Sequence, residues 1–382
     1  MTHPEREKMR TRVPVLCLVG VVAAVSVASG AARSQAPPPG VEARLSGYMA
    51  NFLPFDPATK ITVEKASERL PGFQGYKVKR TGKYPKLAVE KTVYVSEDGK
   101  WFFDGDAVTN PNPRPVQTAA DLAWLETRTG GLYRARSKVI MVPERDAAGL
   151  KAVALAVESG FGPMRVPGYV TPDGSRFLGG TLWDFQLDPR EERKRRIDLS
   201  QGRLDGKPDG AITIVEYADM ECGYCRFRGT QLDALLQANA GTVSYKRYYK
   251  FFPLWFSHAW SMKAASAAEC IWRFGKQAMF GFKKQVYSQQ PVLTVSGIDE
   301  LAITFAESAG IPRADFLGCY LREESLAAVR KDLDEGQRLG VKSTPTYFVD
   351  GTEVWWVEDK IMEDFLRTKA PGLKSIDYGP PK

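Results

Sequence analysis

The sequence predicts an α/β chain in two folded parts: a duplicated α+β module, then a domain that opens as strand, cysteine loop and helix. Three observations carry this reading. Two segments repeat at a fixed offset, a charged and then glycine-rich stretch divides the chain, and Cys222-Gly223-Tyr224-Cys225 stands between a buried-strand pattern and a helical one. The composition of the 382 residues, 43% hydrophobic and 26% charged, is that of a globular chain with room for more than one core, and it excludes disordered and fibrous classes.

Residues 1–32 read as an export signal. Basic Arg6, Lys8, Arg10 and Arg12 precede an apolar run from Val13 to Ala28, and small residues Ser29 to Ala32 follow. An uncleaved anchor is the alternative, although the run is short for a spanning helix. Cys17, inside the run, follows Pro14, Val15 and Leu16 rather than the small residues a lipid-modified cysteine needs, and is read as a signal residue. Residues 33–40, with three consecutive prolines, form a stiff linker. What remains is an exported, periplasmic chain whose cysteines Cys222, Cys225, Cys270 and Cys319 meet conditions in which disulfides persist. The net charge of +8 is inflated by the signal, and no arginine stripe interleaved with aromatics is present, so no nucleic acid is expected as a partner.

The repeat joins Tyr94-Val95-Ser96-Glu97-Asp98-Gly99 with Tyr169-Val170-Thr171-Pro172-Asp173-Gly174; Phe102 and Gly105 match Phe177 and Gly180 at the same offset of 75. Each copy reads as strand, Asp-Gly turn, strand. A helical pattern precedes each, over Val41 to Phe52 and Thr118 to Thr127, and Ile61-Thr62-Val63 and Val139-Ile140-Met141 read as short strands. The modules are placed at 41–115 and 116–198. Two unrelated hairpins sharing a common turn are the alternative. The run Arg190 to Arg196 and glycine-rich residues 199–210 are read as the boundary and linker, followed by a catalytic domain at 211–370 and a tail at 371–382.

From Ala211 to Tyr217 the pattern is a buried strand, and Leu232, Leu235 and Leu236 share one face of the helix after the cysteines, a thioredoxin-like opening. The first thiol at a helix N-terminus gains from unpaired N–H groups and the helix dipole, so Cys222 is expected to attack and Cys225 to resolve the mixed disulfide. Arg226 and Arg228 are expected to support the thiolate. A structural disulfide and half of a zinc site compete with this reading. Zinc lacks ligands, because no second close cysteine pair exists and His258 is the one histidine beyond the signal. No cofactor other than the Cys222-Cys225 couple is expected. Glu216 shares a strand face with Ile212 and Ile214, so its carboxylate is expected in apolar surroundings, with a raised pKa suited to proton exchange with Cys225. His258, beside Phe256 and Trp260, reads as a packing residue.

These residues resemble the DsbA-like branch of the thioredoxin superfamily, over Ile212 to about Leu366. The match rests on Val215-Glu216-Tyr217, the Cys222 to Cys225 motif, Phe252-Pro253-Leu254 and Gly340 to Thr346. The resemblance implies a thioredoxin-like fold with an inserted helical subdomain at about 259–336 and a cis-proline at Pro345. It further implies that Thr344, Pro345, Gly223 and Tyr224 border the substrate. It allows a second, structural disulfide between Cys270 and Cys319, with isolated buried thiols as the alternative. The Gly-Tyr dipeptide and the Tyr-Val-Thr-x-Asp-Gly hairpin are similar to those of periplasmic disulfide isomerases, whose dimerisation module occurs once.

The expected function is an exported thiol-disulfide oxidoreductase acting on reduced or misfolded proteins and recharged by a redox partner. Isomerase with a homodimer, reductase, and chaperone with a minor redox role are the alternatives.

Overall fold

The computed structural model describes residues 40–378; the signal, nearly all of the linker and the last four residues lie outside the described residues. The first module runs α1 Val41–Phe52, β1 Lys60–Leu70, β2 Phe73–Thr81, β3 Val89–Ser96, β4 Trp101–Phe103 and β5 Asp106–Thr109. The second runs α2 Ala123–Tyr133, β6 Ser137–Met141, β7 Lys151–Val157, β8 Met164–Val170, β9 Arg176–Gly179 and β10 Leu182–Asp184. The helix expected over 118–127 thus begins as a 3-10 turn at Ala119–Leu122 and extends to Tyr133, and the first strand is much longer than three residues. Both hairpins turn through the glycine of Asp-Gly, Gly99 at φ 67° and Gly174 at φ 70°; each aspartate accepts the N–H two residues on.

The modules exchange their last strands. One antiparallel sheet has the order β1-β2-β3-β4-β10, the other β6-β7-β8-β9-β5, so each fifth strand completes the other module's sheet. Leu182, Trp183 and Asp184 face Phe103, Phe102 and Trp101, while Asp106 to Thr109 face Gly179 to Arg176. The residue numbers of every facing pair add to 285, so both ladders are halves of one continuous ribbon. That register sets Gly105 opposite Gly180, the pair that the 75-residue repeat maps onto itself, and the local twofold passes between them. A Cβ on Gly105 would lie 2.3 Å from the Gly179 carbonyl oxygen, so the crossing strands need glycine there. The exchange also trades core side chains: Trp183 from the second module packs on Phe52 of the first, ring centroids 5.3 Å apart.

The charged run read as the domain boundary is helical. It forms α3 Pro189–Arg196, N-capped by Asp188, whose carboxylate accepts the Arg190 N–H. Arg193 is 1% exposed; its guanidinium donates to the Phe52 carbonyl at 2.5 Å and faces Glu353 at 3.3 Å, tying the first module to the second half of the chain. The stretch read as linker at 199–210 is corrected too, since β11 Arg203–Gly206 is an edge strand of the next sheet.

That sheet has the order β11-β13-β12-β14-β15, built from β12 Ile212–Ala218, β13 Tyr245–Phe251, β14 Thr346–Val349 and β15 Thr352–Val354; β12 and β13 run parallel and the other pairs antiparallel. One face carries α4 Gly223–Ala238 and α10 Lys360–Lys369, whose Leu232, Leu235, Leu236, Ile361 and Leu366 bury against Ile212, Ile214 and Val349. Between β13 and β14 lies the helical insertion: α5 Ser261–Trp272, α6 Lys276–Gln289, α7 Val295–Ser308, α8 Arg313–Tyr320 and α9 Glu323–Arg338. Cys270 of α5 and Cys319 of α8 form a disulfide across this subdomain. Closing a loop of 49 residues stabilises by about 4 kcal/mol if the gain is chain entropy. Among the described residues no helix is long and apolar enough to cross a membrane.

Candidate functional site

Strand β12 delivers the chain to the site and α4 receives it. Cys222 is the N-cap of α4 and Cys225 lies in its first turn, both as free thiols. Cys222 is 7% exposed and Cys225 fully buried, so incoming sulfur meets Cys222. The peptide bond Thr344-Pro345 is cis and brings the Thr344 carbonyl 3.4 Å from Cys222 Sγ, where it accepts from the thiol. Gln290, after α6, donates to the Met220 and Cys222 carbonyls at 2.8 and 3.1 Å and holds the loop from the other side. Tyr224 is exposed beside the pair.

The two sulfurs are electrostatically unequal. A hydrogen bond from Cys225 is the largest influence on Cys222 and brings its pKa from 9.0 to about 6, aided by the Thr344 side chain and the Cys225 N–H, against burial and the charge of Asp219. Burial, then the neighbouring Cys222, pushes Cys225 well above the ordinary thiol range. The arrangement favours the thiolate on the less buried sulfur and the proton on the deeper one.

Glu216 is buried on the face predicted by strand parity, but its surroundings are not apolar. Arg247 of β13 binds its carboxylate through Nε at 2.9 Å and Nη2 at 2.6 Å, and the Tyr347 hydroxyl lies 3.4 Å away. Arg247 also pairs with Asp233 of α4. An ion pair inside the sheet thus stands where a bare desolvated acid was expected. Glu216 is not among the main influences on Cys225; Asp219 is. Arg228 turns to Asp359 and Gln231, and neither it nor Arg226 is among the main influences on the Cys222 thiolate.

Asp219 and His258 are the residues the sequence reading missed or set aside. Asp219 is 1% exposed; its N–H donates to Cys225 Sγ at 3.3 Å and its carbonyl accepts the Cys222 N–H at 3.2 Å. Its carboxylate accepts from the Glu221 and Leu254 N–H groups and meets His258 Nδ1, each at 2.7 Å. The available signal was weak: an aspartate three residues before the motif and the single histidine after the signal. Among the described residues no group of three or more His, Cys, Asp or Glu side chains is placed to hold a metal.

A thioredoxin family model matches residues 199–367. Disulfide bond formation protein D of Bacillus subtilis (strain 168) is 26% identical over 165 residues, 42% of this chain and 69% of that protein. Residues 199–367 are thus similar to the DsbA-like domains of the thioredoxin superfamily. The DsbA-like domain also resembles proteins of another name. The Na(+)/H(+) antiporter NhaA 1 of Mycobacterium sp. (strain KMS) is 28% identical over 157 residues, 41% of this chain but 25% of the antiporter, so the chain spans about a quarter of that relative. Among solved structures, oxidised BdbD from Bacillus subtilis aligns at TM-score 0.41 and 20% identity, over 46% of this chain and 96% of that one.

Proposed function

We propose that the chain is an exported protein thiol oxidase in which Cys222 exchanges disulfides with client cysteines and Cys225 resolves the mixed disulfide. The observation that carries this reading is the inequality of the two sulfurs. A Cys222 thiolate favoured down to pH about 6 stabilises the dithiol relative to the disulfide, which shifts the couple in the oxidising direction. Export is supported by the basic and apolar N-terminal segment and by Cys270-Cys319, a disulfide of the kind that persists in oxidising compartments.

Isomerase is the second reading, and a cleft favours it. About 440 Å³ opens between the modules and the DsbA-like domain, lined by Tyr133, Trp255, Phe256 and Trp355 and by Val341 and Lys342 just before the cis-proline loop. Tyr133 of the second module stacks on Trp255 at 5.6 Å, so the modules contribute to a surface that can hold an unfolded client. The exchange of β5 and β10 already closes the module-to-module interface inside one chain, so a homodimer is not needed to build that surface. The test follows reduced and scrambled multi-disulfide clients with the mature protein, with its mass by light scattering. A monomer that oxidises reduced thiols faster than it rescues the scrambled client supports the oxidase; the reverse preference, or a dimer that rescues, replaces it with the isomerase. A protein that suppresses aggregation equally well without either cysteine is a chaperone.

A further inference from the structure

Beside the cysteine couple stands a second pair of groups that the exchange of sulfurs does not use. The Asp219 carboxylate is buried against the start of α4, and two backbone N–H groups do not offset a full charge there. The remaining partner is His258 Nδ1 at 2.7 Å, on a side chain one quarter exposed, so the imidazole bridges a buried anion and solvent. Through its own backbone Asp219 touches both sulfur-bearing residues, at Cys225 Sγ and the Cys222 N–H. A charge on this residue is therefore felt by both thiols.

We propose that Asp219 and His258 are positioning residues for the cysteine couple, with the His258 imidazolium cancelling the buried Asp219 charge and so favouring the Cys222 thiolate. The proposal rests on the thiol-disulfide reading of the site but not on any client. Its step is an ionisation alone: the Cys222 S–H bond breaks, the electron pair stays on sulfur, and the proton leaves to solvent. The groups facing His258 agree in sign. The hydrogen bond to Asp219 raises its pKa most, the charges of Asp219, Glu221 and Cys222 add to it, and burial opposes them. Glu221 is itself held by the Ala259 and Trp260 N–H groups at the entry to α5, which fixes the distance between the cysteine loop and the imidazole.

Linkage makes the pair testable without a client and first without a mutation. If the imidazolium favours the thiolate, the thiolate must favour the imidazolium by the same factor. The His258 titration, followed by NMR in the intact protein and assigned with His258→Gln, should have a higher midpoint in the dithiol than in the disulfide form. Identical midpoints overturn the proposal. The second arm is a cycle read by iodoacetamide alkylation of Cys222 at pH 6, with folding checked by near-UV circular dichroism. His258→Gln should slow alkylation about fivefold, because a rise of one pKa unit takes the thiolate at pH 6 from about a half to about a tenth. Asp219→Asn should not slow it, and adding Asp219→Asn to His258→Gln should restore most of the lost rate. A double variant as slow as His258→Gln alone assigns the histidine a packing role and overturns the proposal. Since alkylation reads the thiol itself, a protein that turns over no client but shows this cycle sinks the oxidase and leaves the pair standing.

Discussion

The two halves of the chain bury their polar groups in opposite ways. The modules are nearly symmetric and are joined by a backbone ribbon with a glycine at its centre; few charges lie inside them, Asp56, Arg80, Glu192 and Arg193 being the exceptions. The DsbA-like half is asymmetric and holds charge throughout, with Glu216, Arg247, Asp219, Arg203, Asp332, Lys250 and Glu335 all buried around the sheet that carries the cysteines. Symmetric pairing needs only register and small residues. A redox couple with unequal sulfurs needs fixed charges, and fixed charges inside a protein need partners. Damage to the modules should therefore appear as lost stability and damage to the second half as altered chemistry.

The largest expected effect lies in the second half. Cys222→Ser should abolish client oxidation, because the sulfur removed is the one that incoming thiols reach. Cys225→Ser should instead accumulate mixed disulfides, seen as client-sized mass increases on non-reducing gels. Preferential alkylation of Cys225 in the dithiol protein would reverse the assignment.

Glu216→Gln comes next and tests the corrected reading. Breaking one side of a buried ion pair costs about 3–5 kcal/mol, read here by urea unfolding, with Asp233 softening the loss by keeping one contact to Arg247. Asp233→Asn, at a side chain 54% exposed, should cost far less. A Glu216→Gln protein of full stability with an altered pH-rate profile would return Glu216 to proton exchange.

Gly105→Val should cost about 1–3 kcal/mol by forcing a side chain against the Gly179 carbonyl and the Phe103 ring. The pH dependence of Cys222 alkylation should not change. A shifted alkylation midpoint would show that the halves are coupled and break the comparison.

Much of this is legible in the sequence. Strand parity set Glu216 on the buried face with Ile212 and Ile214, and the matched Asp-Gly turns located both hairpins, because these signals are local. What could not be read depends on distant partners. Arg247 is 31 residues from Glu216, and nothing in an alternating strand says which buried acid will meet a base. β5 and β10 are short, and the exchange between them is visible only as a pairing register. Arg193 sits in a run of charges that reads as solvated, yet one guanidinium of that run lies inside the fold. His258 was set aside because its partner is 39 residues away, at the end of a strand.

The last expected effect is a pH dependence of stability that belongs to the dithiol alone. Cys222 titrates near 6 in the folded protein and near 9.0 when unperturbed, so between these values the unfolded chain binds the extra proton. Unfolding free energy must then rise with pH across that window and fall away as acid takes the pH down through 6. Cys225 is raised, so its contribution has the opposite sign and is lost only at higher pH, above the window. His258 is raised as well: the stability it adds is complete below 6.5 and is lost as pH rises through its folded value. That loss occurs in both redox states, at higher pH in the dithiol, whereas the gain from Cys222 requires a free thiol. Subtracting the urea-unfolding curve of the disulfide form from that of the dithiol, measured from pH 5 to 9, should leave a difference that grows with pH. A flat difference would mean that the two sulfurs are equal in the folded protein, and the charge-rich half would then lose its contrast with the modules.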